Sequence, residues 1–324
     1  MWWLTLRLQR AELILLVAMA VLIIASLLAT RNDVVQENSQ YTIADCPGTV
    51  VNFGPEPRCV TYPSRLYNYV TAILPATVTL PLIIAVLVAL PTVLELASRT
   101  YRLAWTQSRT RATWSISRVM SMTVIAVVVM TMLGLLLFWW TEPRDTYWSS
   151  WGYNSYDLRG VIPVGNVVFA LGLVLAVGAL IKQPLITLAL STVLYFVVRV
   201  PFGEILRPRL LPPDVTTGTA STFYSDPSLW VLSSYLVDAN GSRVSYQQIR
   251  PLCPEPGPPM SAAEAQAQNE AFTSCFNANG ITNRIEYHPE SHLWPLQFIE
   301  AGIFLALGAA LIGFAVWYWL RRLE

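Results

Sequence analysis

The residues able to do chemistry in this chain are few and far apart. The only histidines, His288 and His292, stand four residues apart. On a regular helix that spacing would put two imidazoles on one face, as a metal site or an acid–base pair requires. Pro289 lies between them and breaks such a face, which leaves an ordinary loop role beside the chemical one. The cysteines are Cys46, Cys59, Cys253 and Cys275. No Cys-x-x-Cys spacing occurs and no histidine lies near a cysteine in sequence, which argues against a zinc site. There is no Gly-x-x-x-x-Gly-Lys-Ser/Thr loop, no Gly-x-Ser-x-Gly elbow and no His-Glu-x-x-His pair, so phosphate cradling, serine hydrolysis and zincin chemistry all lack their residues. Charge is the remaining resource. Five arginines and no acid lie between Arg99 and Arg118, and single charges stand where apolar runs begin or end, at Glu95, Arg199 and Glu300.

The elements that must position these groups are membrane spans. The chain has 324 residues, of which 54% are hydrophobic and 13% charged, about half the charge of a soluble domain. Residues 13–30, 69–97, 119–140, 161–181, 184–200 and 301–320 are long and apolar enough to cross a bilayer. The fourth and fifth are separated only by Lys182 and Gln183, and Pro184 suits the first turn of a helix, so they read as a tight hairpin. The first run exceeds a signal-peptide core and is followed by no small-x-small site, so it reads as an uncleaved anchor. Residues 1–11, with paired tryptophans and arginines, form an amphipathic lead-in suited to the headgroup layer. Pro75, Pro81 and Pro91 fall in the second span. Each removes a helical hydrogen bond, as in helices that line a pathway and also in helices that do not.

Arginine and lysine mark the cytoplasmic side. With the N-terminus inside, Arg7, Arg10, the 98–118 loop, Lys182, Arg321 and Arg322 are cytoplasmic, and 31–67, 142–160 and 201–294 lie outside a plasma membrane. Both cysteine pairs then sit where disulfides persist. Four cysteines allow three connectivities; the expected one is Cys46–Cys59 with Cys253–Cys275. In 201–294, Trp230 through Tyr246 reads as a β-hairpin with Asn240-Gly241 at a type I′ turn. Ser261-Ala-Ala-Glu264 has capping-box spacing for a helix running to about Cys275. The expected fold is an all-α polytopic membrane protein of six helices, both termini cytoplasmic, with a small disulfide-stapled α+β extracellular region between helices 5 and 6. Residues 1–200 hold the first five helices, 201–294 the external region, and 295–324 the last helix and tail.

Buried ionisable groups near bilayer edges tend to pair. Arg199 and Glu300 are expected to close the outer end of the bundle as an ion pair, the other reading being independent snorkelling to the headgroups. Glu95 could meet Arg99 or Arg102 at helical spacing. The 98–118 loop has two readings. It is an interfacial helix anchored by Trp105 and Trp114, or a docking helix, since arginine and tryptophan are enriched at binding hot spots.

The stretch Glu95 through Arg111, with its core Arg102-Leu-Ala-Trp-Thr-Gln-Ser108, resembles the segment after the second span in ABC-2-type transporter permeases of the actinobacterial kind. Trp-Leu-Thr-Leu-Arg near the N-terminus, Tyr156-Asp-Leu-Arg-Gly-Val-Ile-Pro163, Arg207-Pro-Arg-Leu-Leu-Pro-Pro213 and Trp294-Pro-Leu-Gln-Phe-Ile-Glu300 are similar in the same order. The resemblance implies a type V exporter-like membrane domain, a dimer with a second permease copy or paralogue, and separate ABC ATPase subunits that carry ATP and Mg. It implies no cofactor, metal or catalytic residue in this chain and no nucleic-acid partner. It places Glu95, Arg102, Trp105, Gln107, Arg109 and Arg111 in a loop that couples to the ATPase. One departure stands out: where the family often has Glu-x-Gly-Thr, this chain has Ala97-Ser-Arg-Thr100. The implied activity is export. Apolar spans with few central charges favour a hydrophobic or amphipathic substrate, although lipid-facing surfaces have the same composition. The rivals are a non-transporting membrane scaffold with 201–294 as its binding module, a secondary transporter, and an intramembrane enzyme. The span centres lack the charges a secondary transporter uses, and no nucleophile–base or metal constellation supports an enzyme.

Overall fold

The structure, a computed structural model, describes residues 14, 18, 20–32, 50, 51, 58, 59, 64–100, 110–145, 151, 156, 157, 160–218, 229–253 and 262–322. In chain order these form α1 (Ala20–Asn32), the short pair β1 (Val50–Val51) and β2 (Arg58–Cys59), α2 (Ser64–Ser98), α3 (Arg111–Asp145), α4 (Ile162–Ile181) and α5 (Pro184–Pro201). Next come β3 (Asp214–Gly218), β4 (Trp230–Val237), β5 (Arg243–Val244), α6 (Ala262–Ala278), β6 (Thr282–His288) and α7 (Leu293–Arg322). Five described helices, α2 to α5 and α7, are long and apolar enough to cross a membrane. The sixth expected span falls on residues of which only 14, 18 and those of α1 are described, and α1 is itself short.

α4 is the axis of the bundle. It is apolar all round and buried from Ile162 to Ala179 with few interruptions, as a helix enclosed by others must be. α2, α3, α5 and α7 surround it. Lys182 ends it in the left-handed conformation (φ 55°), its N–H donating to Gly178 O at 3.1 Å, and Pro184 starts α5 two residues later. α2 runs unbroken through Pro75, Pro81 and Pro91. α1 is tied to the far end of α3, where Trp140 Nε1 donates to Thr30 Oγ1 at 3.1 Å and Arg31 lies 4.3 Å over the Trp139 ring.

α4 and α7 touch backbone to backbone through small residues seven apart on each. A Cβ on Gly172 would stand 2.7 Å from Gly308 O, and one on Gly308 would stand 2.7 Å from the Val168 carbonyl. Gly165 meets the Ala301 backbone in the same way, one level nearer the sheet. Small residues permit this approach and its many dispersion contacts, which membrane helices use in place of hydrophobic burial.

A four-stranded antiparallel sheet of order β3-β6-β4-β5 caps the end of the bundle where α5 finishes and α7 begins. β6 and β4 are its inner strands, and neither β6 nor β3 carries a clear local sequence signal. The hairpin β4–β5 forms, but its turn differs from the one expected. Val237 pairs with Arg243, leaving residues 238–242 as the loop, and among non-glycine described residues only Arg99 and Lys182 have positive φ. Asn240 therefore does not take the type I′ conformation. The Asp238 carboxylate accepts from the N–H groups of Asn240 and Ser242 at 2.9 and 2.8 Å, and Gly241 alone supplies the left-handed residue. The Cys253–Cys275 disulfide forms. It ties α6 to a small core of Ile249, Cys253 and Ile281 beneath the sheet. Cys46 lies outside the described residues.

The glycine contact yields a paired test. Gly308→Ala must push backbone against backbone and should destabilise by about 1–3 kcal/mol. Gly302→Ala, on the same helix with nothing within 4 Å, should be neutral or stabilise by up to ~1 kcal/mol from helix propensity. Thermal unfolding of the two variants in detergent checks the sign.

Candidate functional site

Four charges close the sheet end of the bundle. Arg199 Nη2 donates to Asp157 Oδ1 at 2.7 Å and stands 3.3 Å from Glu300 Oε1. Arg207 clasps Glu300 with two bonds, Nε to Oε2 at 2.7 Å and Nη2 to Oε1 at 2.8 Å, and also donates to Asp157. All four are at least 95% buried. Two cations and two anions sum to zero, so no net charge is left in a low-dielectric setting. The bidentate fork on Glu300 is geometry that only arginine supplies.

Local sequence explains why the two arginines converge. Pro201 cannot donate a helical hydrogen bond. Beyond it the chain widens into a π-helical turn (Phe202–Leu206) and then tightens into a 3-10 turn (Arg207–Arg209). That change of winding aims Arg207 at the same carboxylates as Arg199. Gly203 lets the Arg199 guanidinium pass close to the turn, since a Cβ there would lie 3.3 Å from Nη1. Glu300 is inside α7, which begins at Leu293, eight residues earlier than the expected start of the span.

The cluster is continuous with the sheet. Arg207 lies 4.3 Å over the Tyr156 ring, Tyr156 stacks on Trp151, Trp151 on Trp230, and Trp230 lies 5.4 Å from the His288 ring. Burial, and next the Glu300 charge, raise the Tyr156 phenol far above its ordinary value, so it stays protonated. The buried His288 donates from Nε2 to Pro208 O at 3.1 Å, beside Arg207. Its Nδ1 is then an acceptor for His292 Nδ1–H, also at 3.1 Å. Burial lowers the His288 pKa below the ordinary imidazole value. The two histidines are thus brought together through the 3-10 turn Glu290–His292, and they fasten β6 to the turn that carries Arg207. A cavity of about 260 Å³ beside this column is lined by Trp151, Tyr156, Glu204, Arg207 and Trp230.

The opposite end has its own tie. Arg118 of α3 donates from Nη2 to Glu95 Oε1 at 2.6 Å and from Nε to Thr92 Oγ1 at 3.0 Å, linking α3 to the last turn of α2. Glu95 thus meets Arg118 on the next helix; of the two partners expected along its own helix, Arg102 lies outside the described residues. Arg99 ends α2 in the left-handed conformation (φ 59°), which glycine adopts freely. Arg111 opens α3, and Arg102, Trp105, Gln107 and Arg109 lie outside the described residues.

Sequence reasoning brought Arg199 and Glu300 together but missed Asp157 and Arg207. The signal was available: Tyr156–Pro163, Arg207–Pro213 and Trp294–Glu300 each carried the family resemblance, and each supplies one of these charges. The sequence pattern of the family described as ABC-2 membrane transporter related matches residues 15–207, well over half of the chain. No curated protein and no solved structure matches.

Removing Arg207 would leave two buried carboxylates sharing Arg199, with one negative charge uncompensated. Arg207→Met should cost about 3–5 kcal/mol. Adding Glu300→Gln should cost less than the two single changes summed, because the second removes part of the stranded charge. The measurement is a double-mutant cycle of thermal unfolding. His288 gives a pH dependence of known sign. Its folded pKa is depressed, so below about 6.5 the unfolded chain binds the extra proton. Stability should therefore be full above that pH and fall as the pH drops through it, and His288→Asn should flatten the slope.

Proposed function

The chain belongs to the ABC-2 membrane transporter related family, and on that premise we propose that it is the membrane-spanning permease subunit of an ABC transporter. It exports a hydrophobic or amphipathic substrate, driven by ATP hydrolysis on a separate subunit. The observation that carries this reading is the family match over 15–207, which takes in α2 to α5, the loop between α2 and α3, and three of the four clustered charges. The permease works as a dimer in the plasma membrane, with its sixth span at 13–30 and both termini in the cytoplasm. The sheet region 201–294 faces outward and stiffens the outer mouth.

In this reading the loop after α2 docks on the ATPase, with Arg102, Trp105, Gln107, Arg109 and Arg111 as its contacting side. The geometry around it suits that use. Glu95 and Arg118 cross-link the two helices that carry the loop, so a displacement of the loop moves α2 and α3 as one body. Glu95 then acts as a brace within the membrane domain, while the arginines beyond it meet the motor. A scaffold is the rival reading, and residues 208–292 beyond the family match give it its footing. The two differ in what the partner does: a permease regulates an ATPase and a scaffold need not.

Purified chain alone should hydrolyse no ATP. Co-expressed with its ATPase it should co-purify and change the hydrolysis rate. Arg102→Glu should weaken that association while leaving membrane insertion unchanged, as read by co-purification and by membrane fractionation. Undiminished association would return the loop to a headgroup anchor.

A further inference from the structure

The buried face of α5 is polar. Of its eighteen residues only Thr187, Ser191, Tyr195 and Arg199 are buried, each four after the last, while Leu185, Leu190, Val193 and Val197 are exposed. This inverts the amphipathic helix of a soluble protein. Polar side chains within a membrane bundle face its interior for one of two reasons: they bond across helices, or they line a wet path.

The hydrogen bonds separate these cases. Thr30, Ser98 and Ser121 bond back to their own backbone, at Ser26 O, Leu94 O and Arg118 O, each at 2.8 Å; Thr92 accepts a bond across from Arg118, and Ser115 Oγ on α3 is buried without a partner among the described residues. Thr187 Oγ1, Ser191 Oγ, Tyr195 Oη and Arg199 Nε have no hydrogen-bond partner among the described residues, and neither does Asn166 Oδ1 on the facing α4. They do not serve as interhelical glue. α4 and α5 pair antiparallel, with Thr187 against Gly178 and Phe169 6.0 Å from Tyr195, which sets Asn166 level with Arg199. Buried polar atoms need partners, and five aligned groups without them mark where polar matter goes.

We propose that this face lines a hydrated path through the protomer for the neutral, hydrogen-bonding part of an amphipathic cargo. From Thr187 to Arg199 it runs about 18 Å at the helical rise, from the α4–α5 hairpin to the four-charge cluster that closes it. The cargo head is neutral because the stripe offers hydroxyls and no charge before Arg199; an ionised head would meet no countercharge on the way. The cargo's apolar part stays with the lipid-facing residues of the same helix. The proposal rests on the permease reading and names the class of substrate for it.

Cysteine accessibility tests it in native membranes that hold the full chain and its ATPase. Ser191→Cys exchanges one atom and tests the stripe; Val193→Cys, 56% exposed on the lipid side, is the control, and the unsubstituted chain sets the background. A small membrane-impermeant methanethiosulfonate is applied from both sides. A thiol in dry packing stays protonated, and each pK unit of that shift slows reaction about tenfold. Ser191→Cys should react about tenfold or more faster than Val193→Cys. Reaction no faster than the control and background overturns the path, as it would for Thr187→Cys if Ser191→Cys fails to insert. ATPase stimulation in the same membranes separates the two readings. If it persists without labelling, the path alone is lost. If labelling occurs but no ATPase responds, the hydrated path stands and the permease reading falls.

Discussion

A buried charge has to be neutralised where it stands, and the sheet end of this bundle is organised by that requirement. Asp157, Arg199, Arg207 and Glu300 come from a helical turn before α4, a helix, a 3-10 turn and a second helix. None of the four can be withdrawn without leaving one buried charge uncompensated, at a cost of several kcal/mol. The winding defect after Pro201, the early start of α7 and the glycine at 203 all follow from bringing these groups within bonding distance. The aromatic column from Tyr156 to His288 extends the constraint into the sheet, so that the cap and the helices hold one geometry.

The middle of the bundle is held differently. There the α4–α7 contact rests on glycine backbones and dispersion, which demand shape and no charge. On the α5 side α4 meets hydroxyls without partners. α4 therefore has one face that tolerates no added atom and another that meets buried polar groups without partners. A uniformly packed bundle would have no reason to segregate its contacts in this way.

Much of the fold was legible because membrane spans are declared by length and apolarity: α4 and α5 match their expected bounds almost residue for residue. The hairpin Lys182-Gln183 was legible from proline and spacing. The sheet was only half visible, since β6 alternates weakly and owes its place to pairing with β3 and β4, which no local pattern reveals. The site was half visible for a related reason. Arg199 and Glu300 stood at apparent span edges, where ionisable groups attract notice. Arg207 sat seven residues past the expected end of a span, at 200, and a regular helix would have aimed it elsewhere. The π-helical turn that redirects it follows from Pro201 and from the pull of the carboxylates, and the second cause is tertiary. Glu95 illustrates the converse: besides any neighbour at helical spacing, packing gives it Arg118 on the next helix, which no local pattern reveals.

Arg99 bears on how the loop end is kept in shape. A residue other than glycine in the left-handed region costs about 1–2 kcal/mol, and this chain places arginine there, where the family often has glycine. The helix end must then be fixed by other means. Arg118 provides them: it grips Glu95 and Thr92 within the last two turns of α2 and is itself buried. The stop of α2 is thus enforced by a cross-link to α3 more than by the freedom of a glycine, and the loop hangs from two helices that cannot separate without exposing Arg118. At the other end α5 and α7 are locked by the four charges, and α4 touches both sets. α4 thus packs against the helices of both ties, and opening the charge cluster would leave buried charge uncompensated.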